Sequence, residues 1–494
     1  MLVPQMILVP YLIGTIGENG YGIYALVWSL MLSIDQLERS LQSGVVKYSA
    51  GFLAQGRIDE VNKVVSSSFV YAILVSVVAC AGTLIAAEYY KDPSGQIGSA
   101  LVVVGVMVLF IIPLTPYMAV IQSRQRYYVG ATADTVSKYV NLLVIVAWFH
   151  IVGPSVKVLI IIMAGTLFIS RLTQMIIAYR FVPGLHNSPR LFNGVSFKLI
   201  AAFGGATVLA SVSLAANTTG IRWLMNTIAS TNFVTHLAIM LMPGMLLSQI
   251  TGALTITAMP ATSAYEAVGN QKMLKELLVR GMRYTTILVL AGMIVAGLMM
   301  KNVLYVWVGS DYVFLAPYAL ILFASQAFMQ STSISHHMLK GIGKLRVVVL
   351  IYWFGLVLVP VGLILFLFQT WHNPYIAVTA GLATGHLVCG CLQIGFSMKA
   401  VHAHCRDMLV NVYVQPLTVA ALVYLIILTI VVYSGISGFI GQTFIAVLAV
   451  LSFLVGSYFL IAAAQERQQF KELIRLGIDI IADIRRPRSE HWPK

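Results

Sequence analysis

Long apolar runs broken by short polar clusters organise this chain from end to end. A helix crossing the hydrocarbon of a bilayer needs about 20 mostly apolar residues. Against that length the chain offers about fourteen spans. They begin near Met1, Tyr21, Val64, Ile97, Asp134, Ser155, Phe197, Asn232, Arg283, Val313, Arg346, Pro374, Asn411 and Ser437. The connections are short, so the pattern predicts an all-α polytopic membrane protein with no separate soluble domain.

Composition strengthens that reading. Of 494 residues, 59% are hydrophobic and 10% charged, with a mean hydropathy of +0.88. Soluble proteins carry roughly 25% charged residues, which excludes a water-soluble globular enzyme. The net charge of +14 does not point to nucleic acid, because the basic residues sit in clusters between apolar runs. Every second connection is basic, from Lys47/Arg57/Lys63 to Lys399/Arg406, with four basic residues, Lys91, Lys157, Arg222 and Lys301, on the opposite side. The positive-inside rule therefore predicts a cytoplasmic basic face and a cytoplasmic C-terminus.

The chain also matches itself. A shift of 213 residues lays Tyr48-Ser-Ala-Gly-Phe-Leu-Ala-Gln-Gly56 on Ala261-Thr-Ser-Ala-Tyr-Glu-Ala-Val-Gly269 and, with no gap, Gly130 on Gly343. One shift holds six spans, an even number, so both copies share an orientation. Such a parallel repeat places a cavity between two halves. The organisation expected is an N-terminal bundle over 1–182, a C-terminal bundle over 183–408, two extra spans over 409–464 and a basic amphipathic tail over 465–494. The first span is short: the partner of its start maps before Met1, which predicts a truncated first helix.

Charges inside spans carry the candidate chemistry. Asp35, Glu38 and Arg39 fall in the second span, and Asp35 lies twelve residues from Lys47, about 18 Å along a helix. A charge at that depth costs about 2.5–3.5 kcal/mol, so these groups should face a hydrated interior. Asp35 and Arg39 are spaced to pair on one helix face. Arg171, with Gln174 one turn on, and Arg222 are further buried cations, and arginine offers a planar fork for phosphate oxygens. Structural pairing or snorkelling is the alternative for each. Ser248, Gln249, Thr251, Ser325, Gln326 and Gln330 form a neutral polar lining suited to sugar hydroxyls or to helix-helix bonds. Prolines 113, 116, 243, 260 and 360 are bending points within spans.

Other motifs carry less. Cys389 and Cys405 lie about 24 Å apart along a continuous helix, too far to share an ion. His336 and His337 read as interfacial residues at a span end, and no nucleophile–base set suggests catalysis. The tail repeats Phe470, Leu473, Ile474, Ile478, Ile481 and Ile484 at helical spacing among arginines, as in helices that lie on anionic lipid.

Several segments resemble one family. Pro10-Tyr-Leu-Ile-Gly-Thr-Ile-Gly17, Tyr21-Gly-Ile-Tyr-Ala-Leu26 and Gly44-Val-Val-Lys-Tyr48 resemble the start of Wzx-type oligosaccharide-lipid flippases. These belong to the multidrug/oligosaccharidyl-lipid/polysaccharide (MOP) exporter superfamily. Ala258-Met-Pro-Ala-Thr-Ser263 and Trp307-Val-Gly-Ser-Asp-Tyr312 resemble second-half landmarks. Leu37-Glu-Arg-Ser-Leu41 departs from the family's usual Asp-Leu-Gly turn. The resemblance implies two MATE-like six-helix bundles with two C-terminal helices, alternating access, and no cofactor. The implied cargo is a polyprenyl-diphosphate-linked oligosaccharide for polysaccharide or lipopolysaccharide biosynthesis. A proton or sodium coupling ion, membrane lipids, and a glycan polymerase with glycosyltransferases are the implied partners, in the cell (inner) membrane. On this reading Arg39, Arg171, Arg222, Gln249 and Gln326 bind substrate in one cavity and Asp35 and Glu38 couple to the ion. The alternative is a cation-coupled multidrug exporter, in which Asp35 and Glu38 bind an organic cation.

Overall fold

A computed structural model describes residues 3–461 apart from 91–94, 125, 256 and 435–437. The amphipathic tail expected over 465–494 lies outside the described residues. In hydrocarbon every backbone N–H and C=O must be satisfied within the chain, so the apolar runs have one solution, the helix. Eleven described helices are long and apolar enough to cross a membrane, and the chain is a multi-pass membrane protein.

The first series is α1 (Val3–Ala54, broken at Gly17), α2 (Ile58–Tyr89), α3 (Gln96–Ile111), α4 (Thr115–Ser123), α5 (Tyr127–Ile151) and α6 (Val156–Phe181). The second is α7 (Gly194–Ala215), α8 (Ile221–Ile228), α9 (Thr231–Thr255), α10 (Ala258–Ala267), α11 (Gln271–Val308), α12 (Ala316–Ser331), α13 (Ser333–Gly341), α14 (Leu345–Tyr352), α15 (Val359–Trp371) and α16 (Pro374–Val401). After these come α17 (Cys405–Met408), α18 (Gln415–Ser434) and α19 (Phe439–Leu460). Side-chain oxygens of Asn193, Asn270 and Asn373 cap α7, α11 and α16 by accepting from backbone N–H groups of the first turn. Proline explains two of the irregular turns. Pro360 and Pro416 each follow a π-helical stretch, Trp353–Leu358 and Leu409–Val414, because the ring cannot continue the ladder.

The duplication is visible in the helix boundaries. Residues 58 and 271, where α2 and α11 begin, stand 213 apart, and before them Gly56 (φ 71°) and Gly269 (φ 66°) make the same left-handed turn. The break at Gly17 corresponds to Ala229–Ser230 between α8 and α9. The shift does not stay at 213, however. With 38 residues against the 32 of α2, α11 is longer by more than a turn, so α5 and α14 begin 218 apart, at 127 and 345. The ungapped pairing of Gly130 with Gly343 therefore fails. Gly130 lies inside α5 against Met118, and Gly343 is a left-handed turn (φ 77°).

The two series meet at the end away from the basic connections. There the Trp307 indole donates to the Met6 carbonyl (2.8 Å) and Gly22 of α1 lies on the Thr231 backbone of α9. Elsewhere α7 runs beside α1, with Gly44 facing Ile200. The last two helices pack on α11 through Ala291, Ile294, Ala449 and Phe453 and turn Leu425, Ile426 and Leu448 outward, as a lipid-facing surface requires.

Contact at Gly22 leaves no room for a methyl, because an added Cβ would run into the Thr231 carbonyl oxygen. Gly22→Ala is expected to destabilise the protein by about 1–3 kcal/mol through overpacking. Gly14→Ala, where a Cβ meets nothing, should be neutral or stabilising. Thermal unfolding of both variants in detergent checks the contrast.

Candidate functional site

Three helices of the first series converge on one guanidinium. Arg171 of α6 is 4% exposed. Its Nη2 donates to Glu38 Oε2 at 2.8 Å and lies 3.6 Å from Asp35 Oδ1, both on α1. Its Nη1 donates to Asp134 Oδ1 of α5 at 3.2 Å and to Gln174 Oε1 at 3.1 Å. Glu38 is 1% exposed. The expected i, i+4 pair is present as well, with Arg39 donating through Nε (3.0 Å) and Nη2 (2.8 Å) to Asp35 Oδ2. A chamber of about 150 Å³ opens beside these groups, lined also by Trp28, Leu32, Lys138, Asn141, Met163 and Leu167. Asp134 escaped the sequence reading because it stands beside a basic loop, where an acid looks like ordinary surface. The signal available was its place four residues before Lys138, one turn away on the same helix.

Arg222 is elsewhere. It lines a second chamber, of about 390 Å³, on the inner side of the second helix series. Residues at helical spacing supply the wall: Leu241, Met245, Ser248, Gln249 and Gly252 from α9, and Gln326, Gln330, Ser333, His336 and His337 from α12 and α13, with Gln36 reaching in from α1. The expected single cavity lined by Arg39, Arg171 and Arg222 is thus two chambers. The physical reason is depth: Arg222 lies on a helix of the second series toward the end where the halves meet. The arginine is 5% exposed, donates through Nη1 to the Thr218 carbonyl (3.0 Å) and has a buried Nε with no partner among the described residues. No aspartate or glutamate is among the described residues that line its chamber.

Neutral groups in this chamber brace one another. Gln326 and Gln330 both donate to the Ser248 hydroxyl (2.9 and 2.7 Å), and Gln330 accepts from Thr251 (3.1 Å). His336 stacks on Tyr352 with ring centroids 5.0 Å apart and an interplanar angle of 2°, and its Nδ1 lies 2.8 Å from the Tyr352 hydroxyl. His336 and His337 are therefore chamber-lining residues rather than interfacial ones. They continue the inward stripe of α12 across the break at Thr332.

Part of the wall of each chamber is related by the repeat. At the 213 shift, Trp28, Leu32, Asp35 and Arg39 of α1 correspond to Leu241, Met245, Ser248 and Gly252 of α9, and every one of these lines its own chamber. At 218, Asp134 of α5 corresponds to Tyr352 and Lys138 to Leu356. At 219, between the spacings of the starts and ends of α6 and α16, Met163 and Leu167 correspond to Leu382 and His386. The first copy carries charge where the second carries hydroxyl, aromatic or aliphatic groups.

A third cluster joins the halves at their meeting end. Glu18 Oε1 lies 2.6 Å from His236 Nε2, and His236 Nδ1 lies 2.7 Å from the Tyr375 hydroxyl. The Thr235 hydroxyl donates to the Glu18 carbonyl (2.7 Å), and Tyr312, Phe314 and Tyr375 surround the imidazole. The sequence gives little warning of this contact, since its members lie 217 and 139 positions apart.

Removing Arg171 leaves Glu38 as an uncompensated buried charge, which costs about 3–5 kcal/mol. Arg171→Ala should therefore lower the unfolding temperature sharply, and adding Glu38→Gln should restore much of it. A double-mutant cycle by thermal unfolding measures the coupling.

No family model matches the chain, and no curated protein does. Solved structures do. An inward-facing multidrug resistance MATE family transporter of the MOP superfamily aligns with a TM-score of 0.70 at 14% identity, over 81% of this chain and 94% of that one. The outward-facing conformation of such a transporter gives a TM-score of 0.63 at 14% identity, over 81% and 92%. A MOP superfamily transporter from Pyrococcus furiosus, described as having a binding pocket of reverse polarity that suggests a different function, gives 0.60 at 15% identity, over 81% and 94%. The fold of this chain is MATE-like, two parallel six-helix bundles with additional C-terminal helices.

Proposed function

We propose that the protein is a flippase for polyprenyl-diphosphate-linked oligosaccharide, working by alternating access in the inner membrane. The observation that carries this reading is the second chamber, where a buried arginine without a carboxylate partner among the described residues stands in a wall of neutral amides and hydroxyls. A site of that polarity suits an anionic, hydroxyl-rich head and repels no phosphate.

On this account residues 1–182 and 183–408 move as two bundles, with α18 and α19 peripheral. The clasp of Glu18 with His236 and Tyr375 holds the outer end shut while the cargo head enters from the basic, cytoplasmic side. Arg222 meets the diphosphate, Gln249 and Gln326 meet the attached sugar, and the prenyl tail stays in lipid between the bundles. Both terminal nitrogens of Arg171 are engaged by Glu38, Asp134 and Gln174, leaving its buried Nε without a partner among the described residues, so its part is to hold carboxylates, as Arg39 holds Asp35. A proton or sodium ion arriving at Asp35 and Glu38 competes with those arginines. The cation thereby biases one of two arrangements of α1 against α5 and α6. A glycan polymerase and glycosyltransferases are natural neighbours.

The carboxylate chamber favours a second reading, a cation-coupled multidrug exporter whose cargo binds at Asp35 and Glu38. The two readings separate cleanly. For the flippase, Arg222→Ala should lower polysaccharide export about tenfold or more, the loss of a charged hydrogen bond of about 1.5–3 kcal/mol, with the protein still in the membrane. Lipid-linked oligosaccharide should then build up on the cytoplasmic leaflet. Full export in Arg222→Ala, together with dye efflux abolished by Asp35→Asn, would establish the exporter instead.

A further inference from the structure

We infer that a groove on the outer face of α5 and α6 binds an anionic phospholipid of the bilayer, with an acyl chain laid between the two helices and the phosphate at Arg126 and Arg180. The groove shares no lining residue with the chamber of the second series, so the inference stands apart from what the protein carries.

Apolar chemistry supplies the first argument. The groove has a volume of about 470 Å³ and runs from Tyr128 to Val140 along α5, against Thr166 to Phe181 of α6. Its serine and threonine hydroxyls are all spent inside the protein. Thr132, Thr166 and Thr173 donate to carbonyls of their own helices, Ser137 to the Thr166 carbonyl and Ser170 to Asp134. The wall therefore offers an occupant no free hydroxyl proton. Val136 and Ile169, 55% and 62% exposed, turn it outward, where the surroundings of membrane-spanning helices are lipid tails. The rise from Tyr128 to Val140 is about 18 Å, close to half of the roughly 30 Å hydrocarbon core. One acyl chain of one leaflet fits that length.

Charge at one end supplies the second argument and selects the head. An acyl chain gains little by leaving lipid for this groove, because lipid tails are as apolar as its walls. What the bulk leaflet does not offer is a pair of fixed cations. The Arg126 guanidinium lies over the ring of Phe181, 4.6 Å from its centroid, at the basic end of the groove. Arg180 stands three residues beyond Ile177 on α6, the spacing of neighbours on one helix face. Both arginines are exposed, and neither has a carboxylate partner among the described residues. Guanidinium forks at the membrane interface suit the phosphate of a lipid head. Behind the groove lies the carboxylate cluster. Ser137 and Thr166 line both the groove and the chamber of Asp35 and Glu38, and Asn141 of that chamber donates to Thr166 (2.8 Å). A lipid seated here therefore braces α5 against α6 beside Asp134.

Native mass spectrometry of the full chain tests this by titration with phosphatidylglycerol and, separately, with phosphatidylcholine of the same acyl chains. The first phosphatidylglycerol should bind about tenfold or more tightly than phosphatidylcholine. Arg126→Gln and Arg180→Gln should each weaken it about fivefold, the share of one basic residue at a lipid surface. Val136→Trp, which fills the groove and leaves both arginines in place, should weaken it at least as much. All three side chains are exposed, so unchanged unfolding temperatures will show that the variants fold. Equal binding of the two lipids overturns the anionic head. Binding that responds to the arginines but not to Val136→Trp belongs to surface charge alone and overturns the groove. A polyprenyl phosphate that displaces phosphatidylglycerol from the wild type, and is itself expelled by Val136→Trp, would give the groove to a prenyl tail and overturn the phospholipid assignment.

Discussion

The Arg171 guanidinium, buried to 4% exposure, is met by three carboxylates, and these contacts set how three helices of the first series face one another. Taking one such ion out of water costs several kcal/mol even after relaxation, a cost that acceptors of opposite charge at good geometry offset. Arg171 finds them on two other helices, Glu38 and Asp35 on α1 and Asp134 on α5, which fixes how α1, α5 and α6 face one another. Three carboxylates thus share one buried cation, and the cluster ties together helices that are distant in sequence.

The same scaffold, copied, solves a different problem. In the second series the corresponding positions carry the uncharged Ser248, Gly252 and Tyr352, and the chamber is larger. Arg222 stands in it as a cation with no carboxylate among the described residues of the lining. An anionic group beside Asp35 and Glu38 would meet two carboxylates, whereas the other chamber offers it a cation and neutral donors. Between them lies α1, which contributes Asp35 to one chamber and Gln36, the next residue, to the other.

Much of the fold was legible because hydrocarbon leaves a chain so few choices. Apolar length located the helices, and Gly56 with Gly269 announced a repeat that the turn geometry bears out. The gap in the repeat was not legible, since the extra turn of α11 is as apolar as the helix it extends. For the sites the outcome divides by distance along the chain. Asp35 with Arg39 was readable from an i, i+4 spacing. Arg171 with Glu38 joins residues 133 apart, and nothing local in either segment names its partner. His336 and His337 were misplaced for a related reason. Proximity to a basic loop suggested the interface, but the stripe through Gln326, Gln330 and Ser333 keeps facing inward past Thr332. Glu18, His236 and Tyr375 belong to three helices, and only the docking of the two halves makes them a unit.

The account's central claim is that cargo and coupling ion occupy separate chambers, one in each helix series. Cryo-electron microscopy of the protein in nanodiscs with a polyprenyl-diphosphate oligosaccharide tests it most directly. Density for the diphosphate against the Arg222 guanidinium, with sugar along Gln249 and the Arg171 cluster intact, is the predicted result. A diphosphate lodged between Arg39 and Arg171, displacing Asp35 and Glu38 from them, would contradict it.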